Sequence, residues 1–220
     1  MIHVCLDRLW YVEKYLMPSM IAQGIDKTSI TLYLDTEREG CLKSCIKSFE
    51  TASKMDVNGV WHLQDDVIIC RDFKERTEKF DDGLVCGFSS FYDKAKGWLP
   101  GESNGLRMWY SFPCIRIPTY IIREYVQWFN TYVWRDHQYD QWTKKNKYDD
   151  TIWRIWMEQY HPSTKVLNLS PNLVDHVDYF LGGSTINQRD RQVRSLSFED
   201  TDLVKNLERR LKNDLSKRKN

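Results

Sequence analysis

The chain has 220 residues, of which 41% are hydrophobic and 29% are charged, and its formal net charge is +1. This length favours one domain with a full core, and the near-neutral charge argues against a protein that is basic throughout, as many DNA-coating proteins are. No apolar run approaches the ~18 residues of a transmembrane helix, and the N-terminus lacks the basic and long apolar regions of a signal peptide. The six cysteines include no C-x-x-C pair, which favours reduced thiols in a cytoplasmic protein over a zinc site or a disulfide framework.

The first 65 residues alternate short apolar runs with segments of helical periodicity. The predicted elements are a strand at 2–6, a helix at 9–23 that Gly24 ends, a strand at 29–34, a helix at 41–49 and a strand at 59–63. This βαβαβ order with short connections predicts a parallel sheet. Its carboxyl edge would bring Arg8, Asp35 and the pair Asp65-Asp66 into one crevice, where ligands collect in open α/β sheets.

Asp65 and Asp66 stand between two apolar runs in the stretch Gly59–Phe73. Two adjacent carboxylates at the end of a buried strand are hard oxygen ligands, suited to a magnesium or manganese ion that also holds a diphosphate. The alternative is that they open a turn, as Asp often does. Because carboxylates at a sheet edge contribute little to a core, we expect Asp66 to be replaceable without loss of the fold.

The remaining chain shows a weaker pattern. It predicts a charged helix at 72–79, a strand at 83–88, a loop at 89–105 over the crevice, one strand within 108–117, a helix from 118 to 129, a polar connection at 134–147, a helix at 151–159 and a strand at 166–169. Pro18 is expected to kink or split the first helix. Leu203, Leu207, Leu211 and Leu215 have the i, i+4 spacing of a basic C-terminal helix, which would dock on the domain or on a second subunit.

Taken in order, these features resemble a GT-A-type glycosyltransferase: a βαβαβ start, a strand that ends in paired acidic residues, an aromatic second half and a late P-x-L-V-x-H segment. More narrowly, WHLQDDVIIC and PNLVDHVDYFLGGS are similar to small glycosyltransferase-like proteins of bacteriophages and prophages. The resemblance implies an α/β fold with a GT-A-like (Rossmann-type), mixed, mostly parallel sheet flanked by helices. It places one domain at 1–200, with a nucleotide-sugar half at 1–90 and an acceptor half at 91–200, before a basic helix at 201–220.

The resemblance also implies an activity: metal-dependent transfer of a hexose or pentose from a nucleotide-sugar donor, with a UDP-sugar expected. The acceptor is left open among a modified phage DNA base, a protein and a glycan. Asp66 and His176 are the expected ligands of a manganese or magnesium ion, and Asp65 would contact the ribose or a metal-bound water. Gln64 stands where the family's acidic motif has a carboxylate. The protein would act in the cytoplasm, which is the host's if the chain is phage-encoded.

Other residues take roles from the same resemblance. Arg8 would grip the nucleotide, since a guanidinium suits phosphate geometry, and Asp35 would contact the base or ribose. The alternatives are a surface salt bridge for Arg8, a turn-forming role for Asp35 and a hydrogen-bonded core or loop histidine for His176. Among the tryptophans, loop-like context favours Trp98 and Trp109 for stacking on a sugar or base, while Trp153 and Trp156 are expected in the core.

Asp149 and Asp150 are the candidates for general base, because an inverting transfer needs a carboxylate to take the acceptor's proton. An N-cap of the helix at 151–159 needs only one of them. Since Asp149 lies further out, we expect it to be the cap and Asp150 to face the crevice.

Two other functions remain open from the sequence. A nucleotidyltransferase also pairs a parallel sheet with a carboxylate-held metal, but it usually has a Gly-rich loop and a Lys after the first strand, which residues 6–9 lack. A non-catalytic phage accessory or nucleic-acid-binding protein on a transferase fold would explain Gln64, the aromatic region and the basic tail. A homodimer through the C-terminal helix is a further expectation.

Overall fold

The computed structural model describes residues 1–88, 101–103, 112–134, 149–181, 195 and 197–218. The strands in this part of the chain are β1 (Ile2–Cys5), β2 (Leu32–Asp35), β3 (Gly59–Gln64), β4 (Val67–Ile69), β5 (Leu84–Cys86), β6 (Gly101–Ser103), β7 (Cys114–Pro118), β8 (Val166–Asn168) and β9 (Val174–His176). β4 and β9 pair in a small antiparallel sheet, and the others form the main sheet.

The main sheet has the strand order β2-β1-β3-β7-β5-β8-β6. β1 is parallel to both β2 and β3, as the βαβαβ pattern predicts. Of the seven strands, β6 and β7 run against the direction that the other five share. The prediction of an α/β fold with a mixed, mostly parallel sheet flanked by helices is therefore confirmed at that level. β6 lies inside the segment that we expected to be a loop throughout.

The helical segments connect these strands and cover both faces of the sheet. They are α1 (a 3-10 turn at Leu6–Arg8, α-helical Leu9–Tyr11, π-helical Val12–Leu16 and α-helical Met17–Ala22), α2 (Cys41–Ser53), α3 (Phe73–Thr77), α4 (Thr119–Trp128, continued by a π-helical stretch at Phe129–Trp134), α5 (Asp149–Tyr160) and α6 (Thr201–Arg218). Separate 3-10 turns lie at Lys27–Ser29 and Asp178–Leu181. Pro18 comes two residues after the π-helical stretch of α1, and the wider turn before it accommodates a ring that would clash with an α-helical carbonyl. Gly24 has φ 79°, which suits a glycine after the helix end.

One face of the sheet carries an aromatic core beneath α2, α4 and α5. Phe49, Tyr125, Trp153 and Trp156 are each at most 2% exposed, and the rings of Tyr125 and Trp153 lie 4.7 Å apart between centroids. The expectation that Trp153 and Trp156 are core residues is therefore confirmed. This packing fixes the N-terminal ends of α2 and α5 beside the carboxyl edge of the sheet.

The other face carries α1, β4, β9 and the C-terminal helix. α6 packs onto this core through Val204, Leu207 and Leu211, which are at most 6% exposed, whereas Leu203 and Leu215 are only partly buried. Docking on the domain, one of the two expected roles of this helix, is what the structure shows. A homodimer through α6 stays a prediction. Among the described residues, no helix combines the length and apolarity that a membrane span requires.

Candidate functional site

A cavity of about 330 Å³ lies at the carboxyl ends of β1, β2 and β3. Its lining includes most of the predicted site residues: Arg8, Asp35, Asp65, Asp66, Asp149 and His176. The register explains part of this convergence, because Cys5 and Asp35, the last residues of β1 and β2, are paired side by side. The crevice predicted from strand ends therefore exists.

A larger cavity, of about 490 Å³, lies at the opposite end of the same strands, beside Met1 and Gly59. Its lining is mainly apolar, and its charged side chains are Asp26, Lys74 and Glu78. Because it does not gather acid–base or ligand groups as the smaller cavity does, we place the candidate site at the carboxyl edge.

Arg8 is buried at 6% exposure and pairs with both carboxylates of the acidic motif. Its Nη1 donates to Asp65 Oδ1 at 3.1 Å and to Asp66 Oδ2. The second oxygen of Asp65 accepts the backbone N–H of Cys5 at 2.5 Å. The alternative of a surface salt bridge for Arg8 is therefore wrong, and both oxygens of Asp65 already have partners within the protein.

His176 reaches the motif from a distant part of the chain. β9 pairs with β4 so that His176 lies opposite Val67, and the Val177 N–H donates to Asp66 O at 2.7 Å. The His176 Nε2 atom is 3.0 Å from Asp66 Oδ1, and Nδ1 is 3.2 Å from Asp178 Oδ1. The ring thus lies between two buried carboxylates.

These contacts set the charge states of the cluster. Burial would raise the pKa of Asp66, but His176 and Arg8 outweigh it and hold the pKa below its usual range. Burial and the neighbouring Asp66 charge raise the pKa of Asp65 to about 6, against the effect of Arg8. Burial would lower the pKa of His176, but Asp66 and Asp178 raise it to about 10. Asp66 is therefore an anion between two protein cations, Arg8 and His176.

This arrangement changes the expectation for Asp66 and the fold. Asp66 is 6% exposed and neutralises buried positive charge, so it is not a dispensable edge carboxylate. Removing one partner of a buried ion pair leaves an uncompensated charge and is strongly destabilising. Asparagine also removes the charge, but it keeps the size of the side chain and an oxygen that can accept from Arg8, so it disturbs the fold less than alanine and is the better probe.

The described residues contain no group of three or more His, Cys, Asp or Glu side chains that could hold a metal ion by themselves. They do offer two donor atoms, Asp66 Oδ1 and His176 Nε2, at a separation of 3.0 Å, and a metal ion that binds there would displace the Nε2 proton of the His176 cation. Neighbouring ligands of an octahedral ion with ~2.1 Å bonds are about 3 Å apart. Although Asp66 Oδ1 is 3.0 Å from His176 Nε2, it accepts no hydrogen bond of good geometry within the described part of the chain. The pair fits an ion whose other ligands are water and phosphate oxygens, which is the usual way that proteins bind magnesium.

Asp149 and Asp150 are placed differently from our expectation. α5 begins at Asp149, so both lie in its first turn, and Asp149 rather than Asp150 lines the cavity. Asp149 is 5% exposed; its Oδ1 accepts the Asp150 N–H at 3.0 Å, and its Oδ2 has no hydrogen-bond partner among the described residues. Asp149 thus accepts a hydrogen bond in the first turn of α5 with one oxygen and also lines the cavity. A catalytic role for either residue stays a prediction.

Asp150 gives a prediction about stability. Burial and the Asp149 charge raise its pKa to about 7, so between pH 4 and 7 the folded protein holds a proton that the unfolded chain has lost. Folding stability must then fall as pH rises through this window. Asp150→Asn removes the effect, and we expect it to raise the free energy of unfolding by about 1–2 kcal/mol at pH 8 and by much less at pH 5. Urea titrations at both pH values measure this.

Asp202→Asn is the control for this titration. The exposed Asp202 pairs with Arg71, which lowers its pKa, so its replacement should lower stability at pH 8. An Asp150→Asn variant with the same stability difference at both pH values would contradict the assignment.

Asp35 and His3 complete the inner wall. Asp35 is 6% exposed, and its Oδ1 accepts the Glu39 N–H at 3.3 Å. His3 Nε2 is 2.5 Å from Ser44 Oγ. Burial lowers the pKa of His3, and this effect outweighs the opposite effect of the Asp149, Asp35 and Asp66 charges. Burial and the Asp65 charge raise the pKa of the Cys5 thiol to about 12, so it is neutral. This wall therefore offers carboxylates and a neutral imidazole.

Two predicted site residues lie outside the described part of the chain, and three residues of the site were not predicted from the sequence. Trp98 and Trp109 lie outside the described residues. Sequence reasoning overlooked Asp178, although it stands two residues after His176 in the same quoted segment, and it overlooked the His3–Ser44 pair. Asp178 could have been found from its spacing, whereas the contact of His3 with Ser44 depends on the packing of α2.

No protein-family model, curated protein or solved structure matches the chain.

Proposed function

We propose that the chain is a GT-A-type glycosyltransferase that moves a sugar from a nucleotide-sugar donor, with a UDP-sugar expected, to an acceptor nucleophile. One observation carries this proposal. At the carboxyl edge of a parallel β2-β1-β3 unit, Asp66 presents one oxygen to Arg8 and the other to His176. Open α/β sheets bind ligands at this edge, and a cation beside a guanidinium suits a diphosphate.

Asp66 and His176 would hold a manganese or magnesium ion, which supplies positive charge to the diphosphate leaving group when it is bound. Arg8 pairs with Asp65 and Asp66 and adds a second positive charge to this end of the cavity. Asp65 keeps Arg8 in place, because its Oδ1 accepts from the guanidinium. Asp35 lines the cavity at the end of β2, where it would accept hydrogen bonds from the base or ribose.

Asp149 is the better of the two candidates for the base. Its Oδ2 is buried without a hydrogen bond of good geometry from the described residues, although the Cys41 and Cys45 thiols lie beside the carboxylate, and the side chain lines the cavity. A carboxylate in that position can accept a proton from an acceptor hydroxyl if transfer proceeds with inversion. Asp150 does not line the cavity, so its replacement is the matched control for replacement of Asp149. Action in the cytoplasm, of the host if the chain is phage-encoded, belongs to the same proposal.

The test is a panel of nucleotide sugars, incubated with the protein in manganese and in EDTA, with release of the nucleoside diphosphate as the readout. We expect one donor to be consumed in manganese and none in EDTA. Asp149→Asn should lower the rate of transfer or donor hydrolysis at least ~100-fold, the scale of a lost general base, while Asp150→Asn stays within a few-fold of the parent. Turnover of no donor by the parent would favour the non-catalytic alternative.

A further inference from the structure

The main chain places His176 beside the acidic motif, but the backbone position does not determine the orientation of the imidazole ring. Pairing of β9 with β4 and the hydrogen bond from Val177 to Asp66 fix the backbone on either side of His176. A histidine at a fixed backbone position can still present either of two chemically distinct nitrogens to a ligand. A metal site needs one of them, held towards the ion.

The carboxylate of Asp178 lies where it can fix the orientation of this ring. It is 4% exposed, and its Oδ1 is 3.2 Å from Nδ1 of His176, on the side of the ring away from Asp66. The opposite nitrogen, Nε2, is 3.0 Å from Asp66 Oδ1. The ring of Phe88, at 6.1 Å between centroids, packs beside the imidazole. Each nitrogen therefore faces its own carboxylate.

We propose that Asp178 is a positioning residue that holds Nδ1 of His176, so that Nε2 is directed to the cavity beside Asp66 as the nitrogen ligand of a divalent cation. This rests on the proposed function. Histidines that bind metals almost always donate their other N–H to a carboxylate, a carbonyl or water, which fixes the ring and raises its basicity. The contact between Nδ1 and Asp178 Oδ1 does not meet hydrogen-bond geometry in this structure, and contacts of this kind are often long or poorly aligned in the free protein and tighten in the complex.

Asp178 also has a local structural role, which the test must separate from the proposed one. Its Oδ1 accepts the Tyr179 N–H at 2.7 Å at the start of the 3-10 turn Asp178–Leu181. Serine can accept a similar backbone hydrogen bond, but its shorter side chain does not reach the His176 ring. Asparagine can do both, and alanine neither.

The experiment measures the dissociation constant of Mn²⁺ alone, by calorimetry, for the full chain and for Asp178→Asn, Asp178→Ser and Asp178→Ala. We expect Asp178→Asn to bind within a few-fold of the parent and both Asp178→Ser and Asp178→Ala to bind about 10–100-fold more weakly. Pulsed EPR of the bound Mn²⁺ should show imidazole ¹⁴N coupling in the parent and in Asp178→Asn, but not in His176→Ala. Glu124→Ala, which removes a carboxylate 2.9 Å from His161 outside the cavity, is the control and should leave the affinity unchanged.

The outcomes separate the two proposals. Parent-like Mn²⁺ affinity in Asp178→Ser would assign Asp178 to the turn alone and overturn the inference, while leaving the metal site standing. Absence of Mn²⁺ binding by the folded parent would overturn both the metal site and this inference. Weak binding in Asp178→Ser, with rescue by Asp178→Asn, supports the positioning role.

Discussion

Asp66→Asn is expected to abolish manganese-dependent binding of the nucleotide-sugar donor while the protein stays folded. The amide keeps the size of the side chain and can still accept from Arg8, whose pairing with Asp65 remains. It would remove the anionic ligand from the proposed metal site, in which His176 would be the other protein donor. Because even residues behind the ligands change metal affinity by 10–100-fold, we expect a loss of at least ~100-fold. Calorimetric titration of Mn²⁺ and of the nucleotide measures it.

The control for Asp66→Asn is Asp35→Asn. Asp35 lines the same cavity but lies at the end of β2, so its replacement should spare the affinity for Mn²⁺ alone and weaken only the binding of the nucleotide. Equal manganese affinity in Asp66→Asn and the parent would remove Asp66 from the metal site.

Arg8→Met is expected to cost about 3–5 kcal/mol of folding free energy, the scale of a buried ion pair that has lost one partner. Arg8 is 6% exposed and pairs with two adjacent carboxylates, which would be left facing each other without their guanidinium. Without Arg8 the pKa of these carboxyls should rise, so the loss should be larger at pH 8 than at pH 5. Urea denaturation at both pH values measures it.

The exposed pair Arg38–Asp7 gives a matched control. Its two side chains are about two-thirds exposed, and Arg38 Nη2 is 2.7 Å from Asp7 Oδ1. Arg38→Met should change stability by no more than ~0.5 kcal/mol, as exposed pairs do. Adding Asp65→Asn to Arg8→Met should restore part of the lost stability. A similar small loss in Arg8→Met and Arg38→Met would show that the buried cluster does not depend on Arg8.

The first half of the fold and most of the candidate site were predictable because they follow from local pattern. Strand ends in a βαβαβ unit share one edge, and this alone brings Arg8, Asp35 and the acidic pair together. The resemblance added His176. Its place beside Asp66 depends on the pairing of β4 with β9, which are separated by more than 100 residues, and no local pattern encodes such a pairing.

Other features depend on rotation and packing. Asp149 and Asp150 are adjacent in a helix and therefore point about 100° apart, so the face on which α5 packs decides which of them reaches the cavity. The predicted C-terminal stripe was partly wrong for the same reason: Val204 is buried, while Leu203 and Leu215 are only partly so. That Arg8 is buried between carboxylates, rather than exposed to solvent, also required the three-dimensional arrangement.

The most direct test of the central claim is a calorimetric titration of the parent protein with a panel of nucleoside diphosphates, in Mn²⁺ and in EDTA. If the cavity at the end of β1, β2 and β3 holds a cation and a diphosphate together, at least one nucleoside diphosphate binds in Mn²⁺ and loses most of its affinity in EDTA. Binding of none of them, or binding with the same affinity in Mn²⁺ and EDTA, would contradict a metal-dependent glycosyltransferase.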